Sequence, residues 1–298
     1  MKRNLFIIIL ICTSFITYAQ DPQNTTAQDQ KDTTYWKTAG VAGINMSQVS
    51  LTNWAAGGDA SVAFDLNLSY GLDYNKDRKL WSNRIELAYG LNNTTSNGTR
   101  KTNDKIFFTS NYGYKITNNL YLGATLTFNT QFAEGYNYGV SDTDYISTFM
   151  APGYLSFGPG LTWTPKSWFK ANFSPATWRE TFVLDDSLSS VGAFGVEPGK
   201  KTKAEFGGNL TAEVTYEFLP NMTLYSRLNL FSDYLSEPFN IDVRWDTQIS
   251  MKINKWFSAN LQLNMIYDDD TIITDKNGKS GPRVQFKEVL GVGLQVNF

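Results

Sequence analysis

SVAFDLNLSYGLDY, residues 61–74, sorts its side chains into two kinds by parity. Val62, Phe64, Leu66, Leu68, Tyr70, Leu72 and Tyr74 occupy the even positions. Ser61, Ala63, Asp65, Asn67, Ser69, Gly71 and Asp73 occupy the odd ones. An extended strand turns alternate residues to opposite faces, so one face here is apolar and the other small or polar. Residues 203–218 repeat the pattern, with Phe206, Leu210, Val214 and Phe218 on one face and Glu205, Asn209, Glu213 and Glu217 on the other. Similar runs lie at 80–92, 105–116, 120–133, 154–164, 222–234, 241–253, 256–268 and 284–298, with weaker ones at 38–47 and 168–183. The chain is therefore expected to hold twelve strands.

A soluble sandwich would use strands of about 5–6 residues. A transmembrane barrel needs about 9–11. Most runs here reach eleven or more, and their polar faces carry Gly, Asn, Thr and charge, as a lumen would. The expected fold is an all-β, single antiparallel up-and-down transmembrane β-barrel of about twelve strands. Short links (75–79, 117–119, 165–167, 219–221, 254–255) alternate with long ones (48–60, 93–104, 134–153, 184–202, 235–240, 269–283). That asymmetry predicts an outer-membrane barrel with both termini in the periplasm. Trp81, Trp163, Trp168 and Trp256 lie beside short links and read as an interfacial girdle. Phe298 ends the last alternating run and resembles the signal that such barrels present to their insertion machinery.

The chain has 298 residues, 26 Lys+Arg against 28 Asp+Glu, one Cys and no His. Near-neutral charge offers nothing to nucleic acid. Lys2 and Arg3 followed by the apolar stretch 5–16 and by Thr17 and Ala19 predict a signal peptide over 1–19. Cys12 leaves with it, so the mature chain has no thiol. Residues 20–35 read as a flexible lead-in and 36–298 as the barrel.

Without histidine, a Ser-His or Asp-His mechanism has no side chain of near-neutral pKa to move the proton. A carboxylate pair remains conceivable chemically, but lumen charge is normal in barrels without catalysis. We expect no enzyme, no catalytic residue, no metal and no cofactor. Parity assigns the lumen Asp65, Asp73, Arg84, Glu86, Lys105, Glu205, Glu213, Arg227, Asp233, Asp242, Arg244, Asp246, Lys252 and Lys287. Opposite charges are nearly balanced there, which argues against strong ion selectivity. Two states follow: a narrow polar pore, or a lumen filled by charges that pair with each other.

Residues 45–58 (NMSQVSLTNWAAGG) lie at the first long link. Asn45, Gln48, Asn53, Trp54, Gly57 and Gly58 read either as a segment folded into the barrel mouth or as an outer loop whose Trp marks the membrane interface. The pattern Asn45, Ser47, Gln48, Ser50, Asn53, Trp54, Ala55, Gly57, Gly58 resembles an uncharacterised group of Bacteroidota outer-membrane proteins catalogued as a domain of unknown function. Phe173-Ser174-Pro175 and Gly192-Ala193-Phe194-Gly195-Val196 are similar too. The resemblance implies location, with no catalytic residue and no substrate. The run Asp268-Asp269-Asp270 lacks the fixed alternate ligands of a calcium loop, because Ile272 and Ile273 interrupt it. It reads as an acidic surface loop.

A passive diffusion pore or small-solute binder is the first functional expectation. The alternative is a closed barrel serving as accessory subunit of an envelope complex for secretion, surface assembly or nutrient uptake. The partners expected are outer-membrane lipid, the insertion machinery and, in the alternative, other envelope proteins.

Overall fold

The computed structural model describes residues 35–298 except 52–58, 142, 237, 270 and 275–278. The expected signal peptide and nearly all of the lead-in fall outside the described residues, as do Asn53, Trp54, Gly57 and Gly58.

Twelve antiparallel strands close into one barrel. They are β1 (Trp36–Val49), β2 (Ser61–Lys76), β3 (Lys79–Thr94), β4 (Gly98–Lys115), β5 (Leu120–Thr130), β8 (Gly153–Lys166), β9 (Phe169–Phe182), β10 (Thr202–Leu219), β11 (Met222–Asp233), β12 (Asp242–Lys252), β13 (Phe257–Tyr267) and β16 (Gln285–Asn297). Each pairs with its sequence neighbour in the wall, and β1 meets β16 to close the ring. Two short hairpins, β6 (Gly135–Tyr136) with β7 (Tyr145–Ser147) and β14 (Ile272–Thr274) with β15 (Ser280–Pro282), lie in the loops.

The alternation decides which way each residue faces. Phe64, Leu66, Leu122, Phe157, Leu210 and Leu294 stand exposed on the outside. Asp65, Asn103, Glu205, Arg227 and Asp246 are buried inside. This inversion of the soluble pattern is the one a lipid-facing wall requires. At the end with short turns, Trp81, Trp163, Trp168 and Trp256 are all exposed outward, and Trp36 packs 5.8 Å from Trp81.

One link departs from expectation. The sequence predicts a long loop over 93–104, yet β3 continues to Thr94 and β4 begins at Gly98. These residues are polar, but ladder pairing needs only backbone groups, so the hairpin continues into water. The loop after β9 carries helix α1 (Asp186–Ser190), and Ala151, Val183, Leu188 and Val196 form a small core beneath it. Asp185 caps the helix by accepting from the Leu188 N–H at 2.9 Å. That backbone donor holds the carboxyl below the usual Asp range.

The strand β9 contains a bulge. Phe157 pairs with Trp178 and Leu161 with Phe173, so β9 carries one extra residue between them, and its pairing with β10 shifts at the same place. Pro175 sits in that bulge, where a missing N–H breaks no ladder bond. Gly160 lies opposite, and a Cβ there would strike the Phe173 carbonyl.

The seam is secured at the turn end. Val41–Asn45 pairs with Gly293–Asn297, Phe298 and Gly40 exchange backbone hydrogen bonds (2.6 and 2.9 Å), and the Phe298 ring stacks on Tyr70.

A Gly160→Val barrel should lose about 1–3 kcal/mol of unfolding free energy through overpacking. Gly43→Ala should stay close to wild type, because its new methyl would meet only the Leu294 carbonyl at 3.6 Å. Urea unfolding in detergent, read by the heat-modifiable gel shift, checks both.

Candidate lumenal site

The interior is organised around Arg227. It stands on β11, and its Nη1 lies 3.7 Å from Glu86 on β3, the strand diametrically opposite in the ring. On its own side it donates to Asp246 at 3.1 Å. Its guanidinium also covers the Phe107 ring at 4.1 Å, a cation–π contact with β4. Lys105 donates to Glu86 at 2.6 Å, Arg244 to Asp246 at 3.4 Å, and Asn264 to Asp246 at 2.7 Å. These groups form a chord across the full width of the barrel. The chord exists because a buried charge is tolerable only when matched and hydrogen-bonded.

A second group fills the lumen toward the seam. Lys287 on β16 donates to Asn103 on β4 at 2.9 Å, and Asn103 donates to Asp65 at 2.9 Å. Asn67 donates to Asp65 as well. Asn45 faces the same space from β1.

A third group sits toward the loop end. Arg179 grips Glu205 with two donors, bonds Asp242, and lies over the Phe231 ring at 3.9 Å. This bidentate fork on an aromatic face suits arginine rather than lysine. Toward the turn end, Lys170 pairs with Glu213 at 3.2 Å.

Thus Asp65, Glu86, Lys105, Glu205, Glu213, Arg227, Asp242, Arg244, Asp246 and Lys287 are drawn into inner ion pairs or hydrogen-bonded chains. Four others stay outside these groups. Asp73 accepts from Ser82 near the turns, and Lys252 ends β12 there. Asp233 accepts from the Leu235 N–H at 3.0 Å at the loop end. Arg84 stands exposed on the inner register of β3, making no ion pair among the described residues.

Two expectations need correction. The sequence reading puts Asn45 and Gln48 in a mouth loop, but both belong to β1 and face opposite ways, with Asn45 buried in the lumen and Gln48 exposed opposite Val62. The ladder extends to Val49, so this half of the segment is wall. The acidic loop is also less detached than its sequence suggests. Carboxylate oxygens of Asp242, Asp268 and Asp269 lie within 4.8 Å of one another. Asp242 is held by Arg179, and Asp269 accepts from Asn240 at 2.7 Å.

Arg179 and Lys170 were missed by parity. The bulge in β9 flips the phase: Lys170, Asn172 and Ser174 face inward from even positions, Thr177 and Arg179 from odd ones. Pro175 inside a strand was the available signal.

Beside the chord lies a cavity of about 210 Å³. It follows the arc β4–β5–β8–β9–β10–β11 and extends under β12 and β13 at the loop end. Its wall carries Thr109, Thr125, Thr127, Asn129, Ser156 and Asn209, with Phe107, Tyr154 and Phe231 among them.

A family described as "Protein of unknown function (DUF3078)" matches residues 46–136. That span takes in Ser47 to Gly58 and strands β2 to β5. No curated protein matches the chain. Similar solved structures include an outer-membrane channel from Pseudomonas putida F1, with 13% identity, 92% of this chain and 100% of that one covered, and a TM-score of 0.41. The NanC porin shows 10% identity, 86% and 98% coverage and a TM-score of 0.39. The translocator domain of autotransporter NalP from Neisseria meningitidis shows 8% identity, 90% coverage of each chain and a TM-score of 0.35. The likeness is one of barrel architecture alone.

Replacing Arg227 by Met should cost about 3–5 kcal/mol, because it leaves Glu86 and Asp246 buried with fewer partners. Combining Arg227→Met with Asp246→Asn should recover part of that loss. Urea midpoints of the two single variants and the double variant give the coupling.

Proposed function

We propose that this chain is an outer-membrane barrel that admits small polar solutes through a narrow passage beside the Arg227–Glu86 chord. The carrying observation is the cavity of about 210 Å³, lined by polar side chains from the inner register of adjoining strands. By the scale at which a probe-sized void holds one water, that space takes on the order of a dozen waters. The ion pairs bordering it nearly balance, which fits a weakly selective passage. The short turns, the Trp girdle and both termini lie on the periplasmic side in this reading. Outer-membrane lipid meets the apolar belt, and Phe298 is the mark read by the insertion machinery. Catalysis has no part in it.

A second reading has its own observation. Arg227 and Glu86 join opposite walls, and Lys287 reaches Asn103 across four strand intervals. Such bridges suit a closed barrel that serves as accessory subunit of an envelope complex.

Single-channel recording of the refolded mature protein in a planar bilayer separates the two. A passage gives steady openings, and an Arg84→Ala/Arg227→Ala variant shifts their size toward larger conductance and their selectivity toward cations, because two lumenal positive charges are gone. A silent but folded barrel favours the accessory reading, which then requires co-purification of other envelope proteins from native membranes.

A further inference from the structure

We propose that the cavity beside the chord is a binding site for a neutral, polyhydroxylated solute of about monosaccharide size. This deepens the passage reading and rests on it for the solute's route, though not for its binding.

The argument starts with the composition of the wall. Between the Arg179 and Lys170 ion pairs, the inner positions of β5, β8, β9 and β10 are hydroxyls and carboxamides: Thr125, Thr127, Ser156, Asn172, Asn209 and Thr211. Such groups both donate and accept, as sugar hydroxyls do. Many are paired in rungs around the wall, including Thr127 with Ser156 at 2.6 Å, Thr125 with Asn111 at 2.6 Å and Asn229 with Thr211 at 2.8 Å. The rungs fix side-chain orientation before a solute arrives.

One cross-strand pair is different. Asn129 on β5 stands opposite Tyr154 on β8, one rung above Thr127 and Ser156. Among the described residues, the Asn129 carboxamide and the Tyr154 hydroxyl make no hydrogen bond to another protein group, and both line the cavity. They offer donor and acceptor groups to whatever occupies it. Two rungs below, Gly158 leaves the wall without a side chain, where a Cβ would run into Ser174 and Thr177.

The charges argue for neutrality of the ligand. Arg179 is already bound by Glu205 and Asp242, Lys170 by Glu213, and Arg227 by Glu86 and Asp246. A carboxylate or ammonium solute would have to break one of these pairs or stay uncompensated, and either is costly. A neutral polyol needs neither.

The test compares D-glucose with gluconate and glucosamine, probes of similar size that differ in charge. Saturation-transfer NMR on the detergent-folded barrel reads binding, and osmotic swelling of proteoliposomes reads passage. The proposal expects transfer to glucose well above both charged probes, and faster swelling in glucose. An Asn129→Leu/Tyr154→Phe variant removes two unpartnered polar groups without breaking a protein hydrogen bond. It should weaken glucose binding about tenfold, the effect of roughly two lost hydrogen bonds, while the heat-modifiable gel shift shows the barrel still folded. Equal or stronger transfer to a charged probe, or no transfer to glucose, overturns the proposal even if the barrel conducts. Glucose binding by a barrel that neither conducts nor swells upholds the site and overturns the passage.

Discussion

Backbone polar groups inside a bilayer find no water, so each N–H and C=O must be paired within the protein. Sheet closure meets that demand here. The consequence runs through the whole molecule, because a closed wall has two faces, and the period-two alternation gives lipid the apolar one. The other face is forced inward, where polar and charged side chains must satisfy each other. Phe298 closes the ring at the turn end through its backbone bonds to Gly40. Farther up the seam, Lys287 ties β16 to Asn103 from inside.

A ring of twelve strands is wide enough to leave space and narrow enough for long side chains to cross it. Arg227 and Glu86 exploit that width from opposite strands. Their chord divides the interior unequally. The seam side is filled by Asp65, Asn103, Lys287 and Asn264. The β5–β10 side remains a cavity whose wall mixes hydroxyls and amides with charges such as Lys170, Arg179, Glu213 and Asp242. The space therefore lies on one side of the chord, and the charges at its border are paired with one another.

The strand count, the polarity of each face and the Trp girdle were legible because they depend on local sequence: alternation is a property of each strand alone. Two kinds of feature escaped. Where β9 gains a residue, the phase flips, and Arg179 moved to the inner face unnoticed, although Pro175 marked the place. Where polar residues follow the apolar run, as in 93–104, the change of composition looked like the end of a strand. The ladder continued because backbone pairing tolerates any side chain outside lipid. Gln48, just past the expected run 38–47, joins β1 for the same reason.

Parity and composition were enough to read off the barrel, the apolar outer face and the lack of any histidine. These features are local, so each strand shows them residue by residue. Which charges meet emerged only from the closed barrel. Arg227 and Glu86 lie 141 positions apart, on strands six places from each other in the ring, and nothing in either strand names its opposite. Barrel width and register bring them together, and the space they leave beside them is set by the same two quantities.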